Sequence, residues 1–326
     1  MRAARFGQAA SAFALSTLLT ACAPPPHAPE PPPAPQGAPE HSPRPHAAPG
    51  DLGENGQVTP RSPESNAMLA YYAQVEQTLK HRGLMRKDVA PRDARFAKWQ
   101  LIDNFVKIAL YDEYDSGMVA RQTPSHLRRW ETPVRFSVEF GSSVPAAQRA
   151  ADREMVAAYA GQLARASRHP IGAVRTGGNF TVLVVNEDER RALGPRLQEL
   201  VPGIDALTLR SITELPPSTF CVAFAFSRGA SSVYERAIAV IRAEHPRDLR
   251  QSCFHEELAQ GLGLANDSPQ ARPSIFNDDE EFSLLTRQDE LMLRILYDPR
   301  LRPGMSEDEA RPIIETIANE LLGPDA

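Results

Sequence analysis

The sequence predicts an α+β domain: a mixed, twisted sheet with one polar-motif helix packed on it and further helices toward the C-terminus. Three observations predict it. Apolar residues recur at helical spacing in several long stretches, short alternating or continuous apolar runs read as strands, and the two kinds of element interleave without an internal repeat.

The first elements lie outside that domain. Arg2 and Arg5 precede an apolar run over residues 9–19 that is too short to span a bilayer, and Leu19-Thr20-Ala21-Cys22 comes next. Residues 1–21 therefore read as a bacterial lipoprotein signal peptide, with a diacylglyceryl-modified Cys22 as the first mature residue. The acylated Cys22 makes a membrane the first expected partner. Ala23 behind it is compatible with sorting to an outer membrane, the domain facing the periplasm. From residue 23 to 63 the chain holds 14 of its 30 prolines and few apolar side chains, so residues 22–63 read as a disordered tether that builds no core. In polyproline II at about 3.1 Å per residue, such a tether reaches up to roughly 100 Å.

The folded part is expected over residues 64–326 as a single domain. Met68, Leu69, Tyr72, Val75 and Leu79 form a helical stripe over 64–82 that ends at Gly83, and Trp99, Ile102, Phe105, Val106 and Leu110 form another over 96–111. Residues 134–140 alternate as a half-buried strand, and an alanine-rich helix covers 146–167. Strands are expected at 180–185, 219–226 and 237–241, with a helix near 189–200, a helix opening after Pro246, and one leading from Leu285 to Tyr297.

A net charge of -5 and a pI near 6.0 give no electrostatic case for nucleic acid. The acidic charge is uneven: nine carboxylates between Glu256 and Glu290 face only Arg272 and Arg287. Such a run is either a solvated face or a collector of a hard divalent cation or a basic partner. Of the three cysteines, the lipid takes Cys22, which leaves Cys221 and Cys253 as the pair for a disulfide in an exported protein. That bridge would pin the motif helix to the sheet.

The motif is E-E-L-A-Q-G-L-G-L-A-N-D at 256–267. Glu256 and Gln260 share a helix face at i,i+4, and Gly261 and Gly263 suit a helix end that turns back sharply and brings Asn266 towards them. The run resembles H-E-x-x-H-x-x-G-L-x-H-D, the signature of the matrixin branch of the zincin metalloproteases. In that frame Glu256, Gln260 and Asn266 stand at the three metal-ligand positions, Glu257 at the general base, and Asp267 closes the pattern. The alternative frame from His255-Glu256 fails, because its second ligand is Ala259 and its glycine is Leu262. The same residues resemble the E-E-x-x-Q-x-x-G-L-x-N-D signature of an uncharacterised bacterial lipoprotein family, a domain of unknown function. Segments at 129–135, 274–278 and 296–301 extend the likeness over roughly 90–305, although no methionine occupies the turn at Ser274-Ile275-Phe276-Asn277 where matrixins carry one.

The resemblance implies a zincin-like fold: strand, long helix, strands, then the motif helix, with the last strand beside the cleft. It also implies a metal site that has lost its histidines. Carboxylate and amide oxygens suit a calcium-type cation better than zinc, so no zinc cofactor is expected. The expected function is a binding or scaffold module of the cell envelope, with an envelope protein as a second partner. The alternative is a metal-dependent hydrolase with Glu257 as general base. A third reading makes Glu256, Gln260 and Asn266 a buried hydrogen-bond network that needs no ligand.

Overall fold

The computed structural model describes residues 59–114, 120–277 and 279–323. The expected signal peptide, Cys22, the tether as far as residue 58, and Asp278 of the extended motif lie outside the described residues. The last five positions assigned to the tether, 59–63, are held against the domain, and Pro63 is the first residue of a helix. Thr59 donates its backbone N–H to Ser142, and the Ser62 hydroxyl donates to Asp188 while accepting from the Ser65 N–H.

Ser62 thereby caps α1 (Pro63–His81), which buries Tyr72 and Leu79. Next come α2 (Lys98–Ala109), the hairpin strands β1 (Tyr111–Tyr114) and β2 (Ala120–Pro124), and the short β3 (Arg129–Trp130). Then β4 (Val134–Phe140) leads into the long α3 (Ala146–Ser167), β5 (Ile171–Val174) and β6 (Phe180–Val185). The helix expected near 189–200 is two short ones, α4 (Glu187–Arg191) and α5 (Gly194–Leu200), because Pro195 opens a new helix where its own N–H is not required. After α6 (Ala206–Thr213) come β7 (Cys221–Ser227), β8 (Val233–Arg242) and the motif helix α7 (Arg247–Gln260). The C-terminal helices are α8 (Arg287–Leu296) and α9 (Glu307–Leu322). No helix among the described residues is long and apolar enough to cross a membrane.

The main sheet runs β5-β4-β6-β8-β7, with β3 alongside the start of β8. All pairings are parallel except that of β7, which lies antiparallel to β8 as an edge strand. Every residue of β6 is buried, as a central strand covered on both faces requires. Its alternation sorts the core: Phe180, Val182 and Val184 join the larger cluster with α3, α7 and α8, while Leu183 and Val185 join Leu197 and Ile212 of α5 and α6. The same rule applies to β7, where Val222, Phe224 and Phe226 pack toward the smaller cluster and Cys221, Ala223 and Ala225 face the α7 side. The strand beside the cleft is therefore β7, not the last strand β8, since β8 is enclosed between β6 and β7.

Candidate functional site

Small side chains on one wall and polar ones on the other leave a cleft between β7 and α7. Cys253, Glu256, Glu257 and Gln260 sit at i, i+3, i+4 and i+7 on α7 and so share one face. Across from them Cys221, Ala223 and Ala225 fill little space. The resulting cleft has a volume of about 450 Å³, and its charged lining is Glu256, Glu257, Asp267 and Glu280 against Arg128. Oxygens of Glu256 and Glu257 and the sulfur of Cys221 lie within 4.8 Å of one another.

The expected disulfide is present: Cys221 and Cys253 join β7 to α7 across the floor of the cleft. With a sequence separation of 32, the loop-entropy argument gives a stabilisation of roughly 3–4 kcal/mol. His245 sits behind it, its Nδ1 3.7 Å from the Cys253 sulfur. Burial, with the charges of Arg242 and Arg250 nearby, holds that imidazole well below its ordinary range.

At the end of α7 two glycines meet close contacts that no side chain would allow. A Cβ on Gly261 would fall 2.4 Å from the Phe180 ring, and one on Gly263, at φ +124°, would fall 2.3 Å from the Arg128 carbonyl oxygen. Trp130 Nε1 donates to the Gly261 carbonyl and the Tyr297 hydroxyl to that of Leu262, which fixes the turn.

The returning loop separates two residues that the sequence joins. Asn266 is fully buried; its backbone N–H donates to Ile108 and its Nδ2 to the Lys107 carbonyl at 2.7 Å, so the side chain stitches the loop to the end of α2. It is not among the residues lining the cleft, and its Oδ1 is buried with no hydrogen-bond partner among the described residues. Asp267, one position on, is the residue that faces the cleft and accepts from Gln260 Nε2 at 3.2 Å. Thus Glu256, Glu257, Gln260 and Asp267 come together, and Asn266 holds the loop beneath them.

His255 points away from the cleft. Its Nδ1 accepts from the Leu285 N–H at 3.1 Å, its ring stacks on Tyr159, and burial pushes the imidazole down to about 3. It is a neutral core histidine. The zinc of a working matrixin site does not fit this donor set, which offers carboxylates, an amide and a disulfide sulfur but no imidazole or thiolate.

Asp289 of α8, which stands outside the motif and its expected ligand positions, organises the segment below. It accepts from the Ser274 hydroxyl, the Ile275 N–H, and both the N–H and hydroxyl of Thr286. The turn at 274–277 is thus fastened to the N-terminus of α8. The Thr286-x-x-Asp289 capping box is readable in the sequence; its reach to Ser274 is not. Burial pushes the Asp289 carboxyl up to about 6, outweighing the donors that favour its charge. Glu280, which also lines the cleft, belongs to the acidic run noted in the sequence, whereas Arg128 carries no sequence signal.

Comparison with curated proteins and with solved structures finds no match. The family described as proteins of unknown function, DUF2927, matches residues 98–316, a span close to the roughly 90–305 expected. Because that match covers more than half of the 326 residues and takes in the sheet, the cleft and the motif helix, the chain belongs to the DUF2927 family.

Proposed function

We propose that the chain is a membrane-anchored envelope lipoprotein whose zincin-like domain binds an extended, basic peptide segment of an envelope partner and does not cleave it. The observation that carries this reading is the cleft itself. It is bounded by β7, whose outer edge pairs with no strand among the described residues, and by a helix face bearing Glu256 and Glu257. An extended peptide laid along an exposed strand edge forms main-chain hydrogen bonds and presents alternate side chains to the facing wall. Here the cleft lining as a whole carries four carboxylates against one arginine, which favours lysine or arginine side chains. The order β4, α3, further strands, then α7 supports the zincin-like reading, as do the helix-ending glycines. The lipid anchor rests on Cys22 and the residues before it.

Lack of cleavage is a consequence of the donor set. Without nitrogen ligands to hold zinc and lower the pKa of its bound water, Glu257 has no activated water to deprotonate. The test is fluorescence anisotropy with extended peptides that differ only in carrying lysines or glutamates. Binding of the lysine peptide alone is expected, weakened at least tenfold by Glu256→Gln with Glu257→Gln and by raised salt. Equal binding of both peptides would overturn the reading. So would cleavage that chelators abolish and Glu257→Ala removes, which would favour the hydrolase.

A further inference from the structure

The disulfide lies against the carboxylates in a way that a purely structural cross-link does not require. Cys253, Glu256 and Glu257 share one face of α7, and Cys221 approaches that face from β7. The Cys221 sulfur and one oxygen from each glutamate lie within 4.8 Å of one another. In a tetrahedral site with zinc–sulfur bonds near 2.3 Å and zinc–oxygen bonds near 2.1 Å, neighbouring donors stand roughly 3.4–3.8 Å apart. Movements of about an ångström would therefore bring these three donors onto one ion, while the Cys253 sulfur, which is outside that grouping and bonded to Cys221, has to swing away from it once the bridge opens. The bridged sulfurs are poor ligands, because neither is a thiolate.

We propose that the Cys221–Cys253 disulfide masks a zinc site: reduction converts the cleft floor into a four-donor set of Cys221, Cys253, Glu256 and Glu257. The disulfide becomes two thiols by taking two electrons and two protons from a dithiol, which is itself oxidised to a disulfide, or two electrons from a phosphine, which becomes the phosphine oxide while water supplies its oxygen and the two protons. Zinc then displaces the two thiol protons and is held by two thiolates and two carboxylates. The oxidised cleft offers only oxygen donors and does not select zinc, so the redox state of one bond decides whether this part of the cleft is open or metal-filled. This inference does not depend on peptide binding.

The experiment uses the full-length chain, oxidised or reduced with a phosphine and then desalted, since dithiols themselves chelate zinc. Metal analysis after equilibrium dialysis against zinc is expected to find one ion per reduced chain and none on the oxidised chain at the same free zinc. Cobalt substituted for zinc should show the near-ultraviolet thiolate charge-transfer band in the reduced chain only. Glu256→Gln and Glu257→Gln should each weaken zinc binding by the reduced chain at least tenfold without removing that band. Equal zinc on both redox forms would overturn the proposal, and so would glutamine variants that bind as tightly as the parent, because the thiols alone would then suffice. If reduction unfolds the domain, recovery of the native circular dichroism on adding zinc supports the site, and failure to recover it counts against.

Discussion

Four donors gather on Asp289 and fasten the turn at 274–277 to the start of α8. The environment of Asp289 sets a pH dependence with a defined sign. The carboxyl rises from 3.8 to about 6 on folding because burial disfavours its charge, so the folded chain holds that proton more tightly than the unfolded one. Its contribution is fully present below the unfolded value and is lost as pH rises through about 6, a change of about 3 kcal/mol. Asp289→Asn keeps an acceptor for Ile275 and Thr286, and the Ser274 hydroxyl can turn to accept from the new amide. Chemical denaturation at pH 4 and pH 7 should therefore show wild type losing about 2 kcal/mol of that relative to Asp289→Asn as pH rises, since the unfolded carboxyl is already partly ionised at pH 4. A constant difference would show that the carboxyl ionises alike in both states. Asp289→Ala strands buried donors at every pH and should cost roughly 3 kcal/mol or more.

At the scale of elements, the site depends on how α7 ends. Gly263 holds a positive φ and touches the Arg128 carbonyl, so the turn that sends the chain back past α2 tolerates no Cβ. Gly263→Ala should lower stability by roughly 2–4 kcal/mol, because backbone strain adds to a backbone clash. A thermal melt within a degree of wild type would show that the loop can adopt another path. The disulfide and this turn hold opposite ends of the acidic face, which fixes Glu256 and Glu257 against β7. Shape here comes from backbone constraints, and the carboxylates supply the charge.

For the whole molecule, the family's span and the fold's boundaries differ. α1 precedes the matched residues, yet Tyr72 is fully buried, its hydroxyl donates to Pro217, and its ring packs edge-on against Phe220 and His245 beside the disulfide. Glu76 accepts from the Leu249 N–H at the start of α7, so α1 also steadies the motif helix. The proposed anchor and tether predict that Cys22→Ala abolishes acylation and moves the protein from the membrane to the soluble fraction. Retention of the mutant on membranes after salt washing would remove the lipoprotein reading.

The sequence by itself determined the elements whose signals are local. The stripe at 64–82, the run at 134–140, the continuous run at 180–185 and the alanine-rich 146–167 each specify a helix or strand from residue spacing alone. The half burial expected at 134–140 was wrong: only Arg135 is exposed there, because β4 lies inside the sheet between β5 and β6. Pairing Cys221 with Cys253 needed only arithmetic and a compartment, and the i,i+4 relation of Glu256 and Gln260 is a property of any helix. The path of the chain beyond α7 was not local. Asn266 was expected to reach the metal-ligand position, but the end of α2, about 160 residues earlier in sequence, offered two backbone carbonyls that drew its backbone and side-chain amides into the core and left Asp267 facing the cleft. The edge position of β7, the reach of Asp289 to Ser274 and the arrival of Arg128 at the cleft are likewise contacts between distant segments. Spacing along the chain encodes which face a residue occupies on its own element; which faces meet is decided only when the sheet assembles and buried polar groups must find partners.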